Sequence, residues 1–93
     1  MIKHIVFQKF ENKEDAVVAM KMLQDLQGVV PTLISMEVGL DITHSERSYD
    51  LALIATFADE AGLHAYDEHE AHQKVREFIR PRRTATASVD FVI

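Results

Sequence analysis

Two histidines and a tyrosine crowd into one short segment, Tyr66-Asp67-Glu68-His69-Glu70-Ala71-His72, and a further histidine, His4, lies near the start of the chain. Histidine exchanges a proton near neutral pH, so it can act as a general base without a metal. A tyrosine hydroxyl beside it can orient or polarise a carbonyl. His69 and His72, three residues apart, also raise the question of a transition metal, because such a pair can share one helix face. The sequence places no third ligand, and the His-Glu-x-x-His spacing of metalloproteases is absent. No metal is expected.

These side chains meet only if the backbone aims them together. At about 100° per residue, Leu63 and Tyr66 fall on one side of a helix. Ala71, His72, Val75, Phe78 and Ile79 form a second stripe, rotated by more than a quarter turn. One straight helix cannot turn both stripes toward the same sheet. The phase therefore predicts a break around Asp67 to Glu70, with Tyr66 ending the inward stripe of the first piece. His72 would lie on the inward stripe of the second.

The rest of the chain supplies the sheet. Ile2 to Phe10 is apolar on both faces, as a strand covered on both sides would be. Asn12 reads as an N-cap, followed by a helix with Ala16, Ala19, Met20, Leu23 and Leu26 on one stripe, stopped by Gly28 and Pro31. A second strand is expected over Leu33 to Leu40 and a third over Leu51 to Phe57. Asp59 caps the broken helix, and Thr84 to Ile93 closes the chain as a strand. The order is βαββαβ: an α+β, ferredoxin-like arrangement with a four-stranded antiparallel sheet and helices on one face. Residues 1–93 read as one domain without repeats or linkers.

Three segments together, Met1-Ile-Lys-His-Ile-Val-Phe-Gln-Lys-Phe10, DITHSERSYDLALIATF from Asp41 to Phe57, and Tyr66 to His72, resemble the stress-responsive dimeric α/β-barrel family over nearly the whole chain. The resemblance implies that two sheets pair as a dimeric barrel and that the face bearing His4 looks toward the helices. His4, Tyr66 and His72 would then converge on a cavity lined by Val6, Gln8, Leu51 and Leu53 from the sheet, with Met20 and Leu23 from the first helix. In the family's plant polyketide cyclases a histidine and a tyrosine promote an aldol condensation, and Tyr66 and His72 stand at the matching positions. Where the family motif reads His-Pro-x-His, this chain has His69-Glu70-Ala71-His72, which removes a rigid proline from the break.

The bulk composition limits the functions that fit. There is no cysteine, so neither a disulfide nor a cysteine-held metal cluster can compensate for a small core. Hydrophobic residues still make up 47% of 93 residues. So much apolar surface on so small a body suggests burial against a second subunit. Ile5, Phe7, Ala52 and Ile54, on the alternate face to His4, Val6, Leu51 and Leu53, are the expected homodimer contact. The net charge of −5 argues against a nucleic-acid partner. The basic run Arg76, Arg80, Arg82, Arg83 reads as cations at the negative end of a helix. Arg47, Ser45 and Ser48 read as parts of a structural loop, with Arg47 free to pair with a carboxylate.

No phosphate loop, nucleophile elbow or dinucleotide fingerprint occurs, and no cofactor is expected. No 18-residue apolar run exists to span a bilayer, so the expected setting is the cytoplasm, with no membrane partner. Two functional readings follow. One is a stress-associated homodimer whose pocket is incidental or takes a small apolar ligand. The other is a cofactor-free cyclase, isomerase or small-molecule monooxygenase using His72 as general base with Tyr66. The trio His4, Tyr66 and His72 also has a purely structural reading, as core residues bonded to backbone or water.

Overall fold

The computed structural model describes residues 1–93. Seven elements follow in order: β1 (Ile2–Phe10), α1 (Lys13–Gln24), β2 (Ser35–Leu40), β3 (Leu51–Phe57), α2 (Glu60–Glu68), α3 (Glu70–Ile79) and β4 (Arg83–Val92). The four strands form one antiparallel sheet in the order β2-β3-β1-β4. This is the ferredoxin-like βαββαβ arrangement, with the helices on one face of the sheet.

Strand alternation divides the sheet into two faces. On the helix side, β3 contributes Leu51, Leu53, Ala55 and Phe57, all buried beneath Ala16, Ala19 and Leu23 of α1 and Tyr66, Val75 and Ile79 of α2 and α3. The other side carries a row in which Ile5 stands between Ile54 and Val89, and a second in which Phe7 stands between Ala52 and Ala87. Nothing in the chain covers this side: Phe7 is 44% exposed and Val89 62% exposed.

The ends of α1 and β2 differ from the sequence reading. The helix begins as expected, with the Asn12 side chain accepting from the Glu14 N–H at 2.9 Å. It ends at Gln24, short of Gly28, because the following N–H groups bond three residues back, as Leu26 does to Leu23 and Gln27 to Gln24. The tighter turns still bury Leu26 and Val30. Gly28, at φ +81°, takes the left-handed conformation that a Cβ disfavours. Leu33 remains in the turn, bonded to Val30, so β2 starts at Ser35.

The predicted break is present, and a histidine makes it. His69 alone is non-helical between α2 and α3, at φ −61° and ψ 138°. Its N–H donates to the Tyr66 carbonyl at 3.2 Å, closing α2. Its Nδ1 accepts from the Ala71 N–H at 3.0 Å, opening α3 as an N-cap. The missing proline is thus replaced by a side-chain cap, which takes up one ring nitrogen of His69.

Candidate functional site

The break aims Tyr66 and His72 at the same place. Their ring centroids lie 4.3 Å apart, and the His4 ring, from β1, is 6.3 Å from Tyr66. His4 directly faces Asp90 of β4 in the register, and its Nδ1 is paired with the Asp90 carboxylate. His69 is spent on its cap, so the two histidines of the segment do not act as a pair.

Next to this cluster a cavity of about 350 Å³ opens between α3 and the β1–β4 edge of the sheet. His4, Val6 and Gln8 of β1, Leu53 of β3 and Leu23 of α1 reach it, together with His72. Three expected members do not. Leu51 is buried in the core farther along β3, and Met20 packs against that core. Tyr66 touches His72 but contributes nothing to the cavity wall. The wall is also more polar than the expected apolar pocket. The register puts Thr86 and Ser88 of β4 beside Gln8 and Val6, and the helices add Asp67, Arg76 and Arg80.

Burial sets the protonation of the two central groups. Desolvation, and secondarily the Arg76 guanidinium, push the His72 imidazole below its ordinary value of 6.5, so the ring is neutral at pH 7. Two groups approach its Nδ1: the Asp67 carbonyl at 3.3 Å and an Arg76 nitrogen at 3.5 Å. A carbonyl only accepts and a guanidinium only donates, so one proton cannot serve both. With the proton on Nδ1, donated to the nearer Asp67 carbonyl, Nε2 carries the lone pair a base would use. Tyr66 is fully buried, and desolvation, with the nearby Asp67 charge, raises its phenol far above the usual tyrosine value. It is therefore a neutral donor, yet its hydroxyl has no partner. Nor does the amide oxygen of Gln8, whose side chain lies on the cavity wall. Each orphaned buried group costs roughly 1–3 kcal/mol, so two beside one cavity mark the region as less than optimally packed.

Some residues of this region escape a reading of the sequence. Asp90 is invisible as the partner of His4 until the β1–β4 register is known. Thr86, Ser88 and Asp90 do leave a trace, alternating with Ala87, Val89 and Phe91. That period-two pattern marks a helix-facing side of β4 that is polar from Thr86 to Asp90, whereas β3 is apolar there.

The loop between β2 and β3 folds as a structural unit. Asp41 accepts from the His44 N–H at 2.6 Å, and Ser45 and Ser48 bond through their hydroxyls at 2.7 Å. Asp50 accepts from the Phe10 N–H at 2.7 Å and pairs with Lys13. Burial alone would raise the Asp50 carboxyl, but these contacts prevail and hold it below its ordinary range. Arg47, by contrast, finds no carboxylate. It borders a second cavity of about 370 Å³ with Phe7, Leu40 and Tyr49, toward the uncovered side of the sheet.

The sheet order, the helix layer and the side-opening cavity define the class: a ferredoxin-like α+β protein with a histidine-bearing pocket between sheet and helices. The family model described as Stress Responsive A/B Barrel Domain matches residues 2–93, and the chain belongs to that family. Among curated proteins none matches it. Among solved structures it is similar to a dimeric ferredoxin-like protein of unknown function from Thermobifida fusca, with 24% identity, a TM-score of 0.87, and coverage of 99% of this chain and 90% of that one. A dimeric protein of unknown function from Bacteroides fragilis has 23% identity and a TM-score of 0.83, covering 99% and 95%. A hydroxynitrile lyase from Passiflora edulis has 15% identity and a TM-score of 0.85, covering 99% and 92%. At these identities the likeness concerns the fold.

Proposed function

We propose that this chain, a single domain acting in the cytoplasm, forms a homodimer that holds a small molecule in the cavity beside His72. The dimer would join through the uncovered face around Ile5 and Phe7. Burying it removes apolar surface from water at about 25 cal/mol per Å², and an isologous contact covers the same patch on both copies. The dimeric Thermobifida and Bacteroides proteins support this pairing. The observation that carries the ligand reading is the neutral, base-competent His72 on an open cavity, flanked by the unpartnered polar groups of Gln8 and Tyr66. A small-molecule screen by thermal shift, repeated on His72→Ala, tests it. The variant should remain a folded dimer and lose affinity for cavity ligands. Unchanged affinity alongside a clear loss of stability would make His72 a core residue.

A second reading makes the same cavity catalytic. His72 Nε2 would take a proton from a bound substrate while Tyr66 polarises its carbonyl, in a cofactor-free cyclase, isomerase or small-molecule monooxygenase. The paired rings and the neutral imidazole favour it, and a hydroxynitrile lyase among the neighbours gives a precedent for enzymes on this fold. The Tyr66 hydroxyl does not reach the cavity wall, so this reading requires His72 to shift when substrate enters. Tyr66→Phe should then abolish turnover while leaving ligand affinity intact.

A further inference from the structure

We propose that the ligand of this cavity is a small organic anion, an oxyanion attached to an apolar body; the inference rests on the small-molecule reading above. The chain as a whole carries a net charge of −5, yet Arg76, Arg80 and Arg83 all line this one cavity. Asp67 is the single carboxylate on the wall, and its nearest oxygen is 3.7 Å from Arg76. Arg80 and Arg83 form no ion pair. Clustered like charges repel, so three guanidinium groups with one counter-charge form a site that an anion would complete.

Arg76 lies in the last turn of α3, where the helix dipole favours a cation, but the side-chain cap on the helix end is made by another residue. That role falls to Arg82, which donates to the Phe78 carbonyl at 2.8 Å, lies over the Phe78 ring at 4.0 Å, and approaches Asp15 at 4.0 Å. It does not line the cavity. The four arginines that look alike in the sequence thus divide into one that closes a helix and three that share a pocket.

Gln8 provides an independent sign of a ligand. It is only 7% exposed, on the cavity wall, and its amide oxygen meets no donor. The oxygen is sealed from the void as it stands, and a ligand hydroxyl would satisfy it once the amide turns toward the cavity. Leu23, Leu53, Val75 and Ile79 give the remaining wall an apolar surface, which a bare inorganic ion would leave unused. The chemistry that fits is a carboxylate at the arginines, a neighbouring hydroxyl toward Gln8 and a hydrocarbon or aromatic body against the apolar wall.

Salicylate carries all three features, salicylamide lacks the charge, and inorganic phosphate lacks the body. Each is titrated into the ¹⁵N-labelled chain, followed by Arg83→Gln, Arg80→Gln and Arg82→Gln. Salicylate should move the Gln8 side-chain amide and the Thr86 and Ser88 N–H signals and bind at least about tenfold tighter than salicylamide. Arg83→Gln and Arg80→Gln should each weaken it by about tenfold, and Arg82→Gln should not. Equal binding of salicylate and salicylamide, an equal loss in Arg82→Gln, or phosphate binding as tightly as salicylate would overturn the proposal. If neutral apolar compounds bind in a His72-dependent way and salicylate does not, the anion fails and the ligand cavity stands. If no compound moves any cavity signal in the folded protein, both fail.

Discussion

The two flanks of the helix-facing side of the sheet are built on different terms. Over β3, every inward position is apolar and closed: Leu51, Leu53, Ala55 and Phe57 are each at most 4% exposed. Over β4, three inward positions in succession, Thr86, Ser88 and Asp90, are polar and stay exposed. The contrast follows from strand order. β3 is central and lies under the helices, whereas β4 is an edge strand beyond α3. The closed flank supplies stability and the open flank supplies polar groups facing a void. A ligand site arises where the helix layer runs out.

The sharpest way to break this contrast is to cut one inward-facing side chain from each flank. Phe57→Ala removes a fully buried ring and should cost about 3–5 kcal/mol, enough to unfold much of so small a protein. Ser88→Ala on the open flank should stay within about 0.5 kcal/mol. Denaturant melts of the two variants check both values.

On the opposite side of the sheet, Phe7→Asp would place a charge in the proposed dimer contact. Sedimentation should then change from dimer to folded monomer, with dissociation strengthened by at least about a hundredfold. A wild type that sediments as a monomer at micromolar concentration would remove the pairing altogether.

Tyr66 stands at the seam between the flanks, and its hydroxyl is an orphan on the closed side. Tyr66→Phe should therefore raise stability by about 1 kcal/mol, read as a higher melting temperature. A loss of stability would reveal a bonding partner for the hydroxyl.

The smallest effect is a pH dependence. His72 has its folded pKa lowered below the ordinary 6.5, chiefly by burial. The unfolded chain then binds more protons in the interval below about 6.5, so stability falls as pH drops through it and levels off below the folded value. His72→Gln should flatten the melting-temperature profile between about pH 7.5 and about pH 5. Asp50 acts in a separate window, since its lowered carboxyl loses stability only as pH falls below its ordinary value of 3.8.

What is legible in the residues depends on whether the signal is periodic. The break at His69 is readable because Leu63 and Tyr66 are out of phase with His72 and Val75, and no straight helix satisfies both. The cap that makes the break is not, because histidine is an unusual N-cap and its role needs the Ala71 N–H in place. Strand alternation in β1 and β3 shows which residues share a face, but both faces are largely apolar, so only the family resemblance indicates which one meets the helices. The cavity's polar wall is not readable: it depends on which β4 residue stands opposite Gln8, and on which way each arginine of a uniform basic run points. Met20 and Leu51 illustrate the same limit, since both lie on inward stripes yet pack into the core beside the cavity rather than onto it.

Each face carries an opening, one beside His72 and one beside Arg47, and the proposed ligand belongs to the first. Mapping the backbone N–H signals that move when a screened ligand is added to the isotope-labelled protein decides between them. Shifts should gather at His72, Arg76, Thr86 and Ser88. Shifts confined to Phe7, Leu40, Arg47 and Tyr49 would contradict the assignment.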